Sequence, residues 1–193
     1  MVSGEGGGIG VTLPGRVGGV LAALSNFTLW LAALALVAMM VHVTADVVLK
    51  ITLNWPVAGT LEIVSYIYMV ACTFLPLAHL QASRSLIVVE FFTQKLDKWS
   101  LLKLETFIAP LSVAYLGTLA IVGAMRAYSK MDLGETQDAT YFELPVWPMR
   151  WVFAAALAVT ALVALHQFIT DVRRVRAGPG ADRSGPKLGD LGI

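Results

Sequence analysis

Hydrophobic positions along the chain fall into four long runs without Asp, Glu, Lys or Arg. The runs contain 29, 21, 20 and 20 residues, at 17–45, 63–83, 106–125 and 151–170. A helix needs roughly 20 apolar residues to cross the ~30 Å hydrocarbon core of a bilayer, so each run is long enough. In lipid the backbone must satisfy its own hydrogen bonds, and runs of this length fit helices rather than the ~10-residue strands of a barrel. The pattern predicts an all-α integral membrane protein with four transmembrane helices.

The charges and turn residues around these runs predict a single membrane domain over 1–193. The first run is about twice as long as the apolar region of a signal peptide, so we expect a retained helix. The predicted segments are a flexible tail at 1–16, helices at about 17–47, 58–83, 105–127 and 148–170, an interfacial helix at about 87–103, and a second tail at 171–193.

Basic residues predict the orientation, because cytoplasmic loops of membrane proteins are enriched in Lys and Arg. Ten basic residues lie in the two tails and the middle loop, and four lie in the two other loops. We therefore expect both termini and the middle loop in the cytoplasm. Loops 46–62 and 126–150 then face outward.

The middle loop contains an amphipathic stretch from Ile87 to Leu104, with apolar and charged residues at roughly helical spacing. We expect it to lie in the membrane interface, with Lys95 and Lys98 near phosphates and Trp99 at headgroup depth. The alternative is a helical extension of the second or third helix into the cytoplasm.

Composition agrees with a membrane protein. The chain is 57% hydrophobic and 14% charged, and its mean hydropathy is +0.73. A soluble domain has about 25% charged residues. The net charge of +1 gives no indication of nucleic-acid binding. The single Cys72 excludes an internal disulfide and any multi-cysteine metal site.

The chemistry-bearing residues are few. His79 and His166 both stand near the cytoplasmic ends of predicted helices, which allows a haem held by two histidines. The alternative is that both histidines are solvated at the interface. No hydrolase, metalloprotease, P-loop or EF-hand motif occurs, and no charged residue lies in the middle of a span. We therefore expect neither an enzyme nor, from this chain alone, a proton-coupled carrier.

Short motifs stand at the ends of the predicted helices. Asn54 and Pro56 suit a turn, Thr60 is a candidate N-cap, and Glu62 lies where a helix dipole favours negative charge. The motifs are Lys50-(x)3-Asn54-Trp55-Pro56, Thr60-x-Glu62, Arg84-(x)5-Glu90 and Glu143-Leu144-Pro145-Val146-Trp147.

These motifs, the length and the four helices together resemble the small membrane subunit (DctQ-like small permease) of tripartite ATP-independent periplasmic (TRAP) transporters. Two departures occur. Family members often have a His after the basic residue at the exit of helix 2, where this chain has Ser85. Many also carry Pro-x-Gly inside helix 4, which here runs through alanines.

The resemblance implies a non-catalytic subunit in the bacterial inner membrane, without a cofactor of its own. Its partners are a large membrane subunit, which holds the sodium and substrate sites, and a periplasmic solute-binding protein that delivers an organic acid. This chain then acts as a scaffold in the lipid bilayer and adds docking surface through its outward loops. The motif residues are candidates either for partner contacts or for local structure: Asn54, Trp55, Pro56, Glu62, Arg84, Glu90, Pro145 and Trp147.

Two other functions remain open from the residues. A membrane electron-transfer subunit would use His79 and His166 as haem ligands. A stand-alone four-helix sensory or assembly protein would need no transporter partner.

Overall fold

The computed structural model describes residues 11, 13–55, 57–84, 98–139 and 142–177. Within these residues, four helical segments are long and apolar enough to cross a membrane. This confirms the predicted all-α membrane architecture with four spans. The segments are Gly15–Leu53, Thr60–Ala82, Thr106–Asp132 and Trp147–Ala177.

Helix α1 (Gly15–Leu53) has 39 residues. At 1.5 Å per residue it is about 58 Å long, so it must tilt in a ~30 Å hydrocarbon layer or project beyond it. It ends at Asn54, which has φ 51° and donates its backbone N–H to the carbonyl of Leu49. Asparagine tolerates this left-handed conformation better than most residues, so it stops the helix at the predicted turn.

The second span is divided into helices α2 (Thr60–Ile63), α3 (Met69–Phe74) and α4 (Leu77–Ala82), with a π-helical turn over Val64–Tyr68. The interruption between α3 and α4 occurs at Pro76, which has no N–H to donate to the preceding turn.

The expected N-cap at Thr60 is wrong by one residue. The cap is Gly59, whose φ of 76° favours glycine, and no side chain caps the helix. The Thr60 hydroxyl instead donates back to the Val57 carbonyl at 3.1 Å.

Helix α5 (Lys98–Asp132) begins before the third apolar run and passes through Pro110 without a break in its assignment. Pro110 therefore lies inside the helix. Residues 85–97 lie outside the described residues, so the interfacial helix stays a prediction. Lys98 and Trp99 lie in the first turn of α5.

A short antiparallel hairpin connects α5 to the last helix. Its strands are β1 (Thr136–Ala139) and β2 (Phe142–Pro145), and Thr136 pairs with Pro145 in their register. Helix α6 (Trp147–Ala177) follows after one residue and continues about 10 Å beyond the fourth apolar run. We call the end of the bundle with the hairpin the hairpin end, and the opposite end, with Gly15 and Ala177, the tail end.

Helix α6 is the centre of the bundle. It packs against α1, α3, α4 and α5, whereas among the described elements α5 packs extensively only against α6. The face of α6 toward the bundle is rich in small residues, which lets neighbouring helices approach closely. Its buried residues include Ala154, Ala156, Leu157, Thr160, Val163 and Ala164.

Helix α5 lies close to α6 at Gly123. A Cβ placed on Gly123 would lie 3.1 Å from Phe153 Cε1, whereas a Cβ on Gly117 would meet nothing within 4 Å. Phe153 cannot withdraw freely, because its ring also packs edge-to-face on Phe74 at 4.6 Å between centroids.

We therefore expect Gly123→Val to destabilise the detergent-purified chain by about 1–3 kcal/mol through overpacking. Gly117→Val is the matched control, since it makes the same change in helix propensity without a neighbour. Thermal unfolding followed by circular dichroism measures both variants. Equal stability of the two would show that the α5–α6 contact does not depend on glycine.

Candidate functional site

A buried ion pair joins the second span to α6 at the tail end. Arg84 Nη2 lies 2.6 Å from Asp171 Oδ2 and 2.8 Å from Asp171 Oδ1. The side chain of Asp171 is 5% exposed and that of Arg84 is 41% exposed. Arg84 reaches Asp171 from a left-handed backbone conformation with φ 54°. A carboxylate this buried requires a partner, and the guanidinium supplies one.

Two glutamines extend this contact toward the membrane. Gln81 Nε2 donates to Gln167 Oε1 at 2.9 Å. Gln167 Nε2 in turn donates to the backbone carbonyls of Gln81, at 2.8 Å, and Ala82, at 3.2 Å. These carbonyls belong to the last turn of α4, where the N–H donors of a following helical turn are missing, and the Gln81 carbonyl also accepts from the Arg84 backbone N–H at 3.1 Å. We call Gln81, Arg84, Gln167 and Asp171 the tail-end clamp.

A second polar contact at the tail end holds the segment before α1. Asn26 Oδ1 accepts a hydrogen bond from the Val11 backbone N–H at 3.2 Å and lies 3.1 Å from His79 Nδ1. Because that oxygen is only an acceptor, the neutral His79 ring that satisfies this contact has its proton on Nδ1. Val11 and Leu13 also pack on a buried cluster at this end, formed by Leu21, Ala82 and Val163.

At the hairpin end, Glu135 binds two cations. Arg150 contacts it through Nε at 2.5 Å and through Nη2 at 2.8 Å, and Lys130 Nζ lies 3.3 Å away. The Arg150 hydrogen bonds, with a smaller contribution from Lys130, hold the pKa of Glu135 below its ordinary value. We call these three residues the hairpin-end clamp. It ties the end of α5 to the first turn of α6.

The histidines do not form a ligand set with other residues. No group of three or more His, Cys, Asp or Glu side chains suitable for a metal occurs in the part of the chain that the structure describes. His79 is bonded to Asn26, and His166 Nδ1 is buried without a hydrogen-bond partner. His42 packs edge-on to Tyr68 at 5.8 Å.

The structure distributes the sequence-predicted site residues over both ends of the bundle. Asn54 caps α1, Trp55 is 76% exposed, and Glu62 lies in the first turn of α2. Pro145 ends β2 and Trp147 begins α6.

Pro56, Glu90 and Lys95 lie outside the described residues. The roles of all these residues at partner or membrane interfaces stay predictions.

Sequence reasoning missed the partners that form the two clamps. The sequence pattern places Asp171 in a cytoplasmic tail, but α6 continues through this residue and buries it against Arg84. A signal for this contact exists. Gln167 and Asp171 are four residues apart, as are residues on one face of a helix, and Gln81 and Arg84 are three apart near the end of α4.

The tail-end ion pair gives a testable prediction. Arg84→Gln leaves a buried carboxylate without its cation, so we expect a loss of about 3 kcal/mol in unfolding free energy. The double variant Arg84→Gln/Asp171→Asn should lose less unfolding free energy than the two single variants lose in sum. This double-mutant cycle isolates the pair from other contacts of Arg84. Arg173→Gln, an exposed neighbour, is the control. Additive effects in the cycle would contradict direct coupling.

The hairpin-end clamp predicts a pH dependence. Glu135 has a lowered pKa when folded, so its stabilisation is present above the ordinary value of 4.5 and is lost as the pH falls through the lowered pKa. Glu135→Gln should therefore flatten the dependence of the unfolding temperature on pH below 4.5. Asp138→Asn, in the exposed part of the hairpin, should leave that slope in place. Scanning calorimetry from pH 3 to pH 6 decides between these results.

Comparison with known families identifies the chain. Residues 39–174, from the middle of α1 almost to the end of α6, match the family described as tripartite ATP-independent periplasmic transporters, DctQ component. No curated protein sequence and no solved structure gives a significant match. The family is a non-catalytic transporter component, so the chain is not an enzyme, and the haem alternative is not favoured. The chain belongs to the DctQ family, the small membrane component of TRAP transporters.

Proposed function

We propose that this chain is the scaffold subunit of a sodium-coupled TRAP transporter in the bacterial inner membrane. A large membrane subunit carries the sodium ions and the solute, and a periplasmic binding protein delivers the solute, an organic acid. The family match over residues 39–174 is the observation that carries this proposal.

The distribution of polar groups supports a scaffold role. The tail-end clamp joins the second span to α6, and the hairpin-end clamp joins α5 to α6. No charged residue lies within the four apolar runs, where residues of an ion pathway are normally found. A helix assembly fixed at both ends suits a subunit that stays in place while another subunit moves. We assign the coupling ions to the large subunit, as the family resemblance implies.

The proposed orientation places the tail end in the cytoplasm, following the excess of basic residues there. The hairpin end then faces the periplasm. Each strand of the two-stranded hairpin has one edge without a ladder partner in the described part of the chain. Exposed Asp138, Glu143 and Trp55 lie at the same end. We propose this end as docking surface for the binding protein.

The test reconstitutes the large subunit and the binding protein in proteoliposomes, with and without this chain. The solute is first identified by screening organic acids against the binding protein. We expect uptake driven by an inward sodium gradient to fall by at least about tenfold without the chain, because the moving part of the large subunit loses its fixed support. Counting labelled solute inside the vesicles measures the effect.

Controls separate the parts of this proposal. Replacing the sodium gradient with potassium should abolish uptake even when the chain is present. Affinity purification of the tagged chain in mild detergent should recover the large subunit in stoichiometric amount. Full sodium-driven uptake by the large subunit alone would contradict the scaffold role. A chain that purifies alone from cells that also produce the large subunit would contradict the assembly itself.

A further inference from the structure

An apolar groove lies between α5 and α6 at the tail end. Its volume is about 430 Å³, and it is lined by Thr106, Phe107, Pro110, Phe168, Val172 and Val175. Phe107, which forms one wall, is 82% exposed. The two helices contribute residues at the boundary of their apolar runs, because the third run begins at Thr106 and the fourth ends at Thr170. The groove therefore lies at the depth where the hydrocarbon core meets the lipid headgroups.

Arginine side chains lie at the end of this groove that faces water. The last turns of α6 contain three exposed arginines, Arg173 and Arg174 between Val172 and Val175, and Arg176 after Val175. In the described ranges none of these arginines forms an ion pair with another residue of the chain. Arg176 follows Val172 by four residues, so it occupies the groove side of the helix about 6 Å farther toward water. Arg174 follows Val172 by two residues and lies on another side.

We propose that this groove binds an anionic phospholipid from the leaflet at the tail end, with an acyl chain along the groove and its phosphate at Arg176. The groove residues of α6 run from Phe168 to Val175, a rise of about 10 Å, which accommodates the upper part of an acyl chain. The charge of the arginine matches the phosphate, and the apolar lining matches the chain. This site is separate from both clamps and does not require the transport activity proposed above.

Competition between two lipids for the purified full-length chain tests this proposal. Native mass spectrometry counts the bound lipids after addition of equal amounts of phosphatidylglycerol and phosphatidylcholine with identical acyl chains. We expect the unmodified chain to retain about five times as much phosphatidylglycerol as phosphatidylcholine. This ratio corresponds to the attraction of one basic residue to an anionic membrane surface. Arg176→Gln should bring the two lipids to equal retention.

Two further variants make the result specific to the groove. Arg174→Gln removes the same charge from another side of the same helix, and the preference for phosphatidylglycerol should persist. Val172→Trp fills the groove and should lower retention of both lipids. Equal loss of preference in the Arg174 and Arg176 variants would overturn the site in favour of general attraction to the basic helix end. Unchanged lipid retention in Val172→Trp, with reduced recovery of the large subunit, would instead make the groove a protein contact and also overturn the proposal.

Discussion

The cost of an unpaired polar group in hydrocarbon constrains this whole structure. Four runs of 20 residues or more contain no charged side chain, so the charges lie at the two ends of the helices. Two carboxylates at these ends are drawn into the protein and are paired with cations. Asp171 is buried against Arg84, and Glu135 binds Arg150 and Lys130. The same rule acts on the backbone, because Gln167 supplies donors to the last carbonyls of α4.

This constraint also explains how much could be predicted from the sequence. Spans are defined by long apolar runs, and their number and approximate places follow from the lengths alone. Breaks in a helix also have a local cause, as at Pro76, where a missing donor interrupts the second span. The contacts between spans cannot be predicted in this way. Arg84 and Asp171 are 87 positions apart in the chain, and nothing in a single sequence brings those two positions together. Helical spacing identifies Gln167 and Asp171 as one face but does not identify the face they meet.

The ends of the helices also differ from the sequence prediction, because an apolar run does not mark where a helix begins or ends. An apolar run marks the part of a helix that is in lipid, whereas the helix itself continues as long as its backbone bonds are made. Helix α6 extends seven residues beyond its run, and α5 begins at Lys98, eight residues before its own. These extensions change the interpretation of the charges on them. Asp171 in a tail would be solvated, but on the last turns of α6 it becomes part of the packing between helices.

The arrangement of the helices follows from where these pairs lie. Both clamps include α6, and α6 packs against α1, α3, α4 and α5. Among the described elements, helix α5 packs extensively only against α6, and most of its other surface is exposed. Its close contact at Gly123 and the groove at Thr106 and Phe107 lie on the side toward α6. A subunit built this way has one fixed helix at its centre and a peripheral helix with a long apolar face. For a family whose members work as part of a larger membrane assembly, function then depends on surfaces between helices rather than on a catalytic centre.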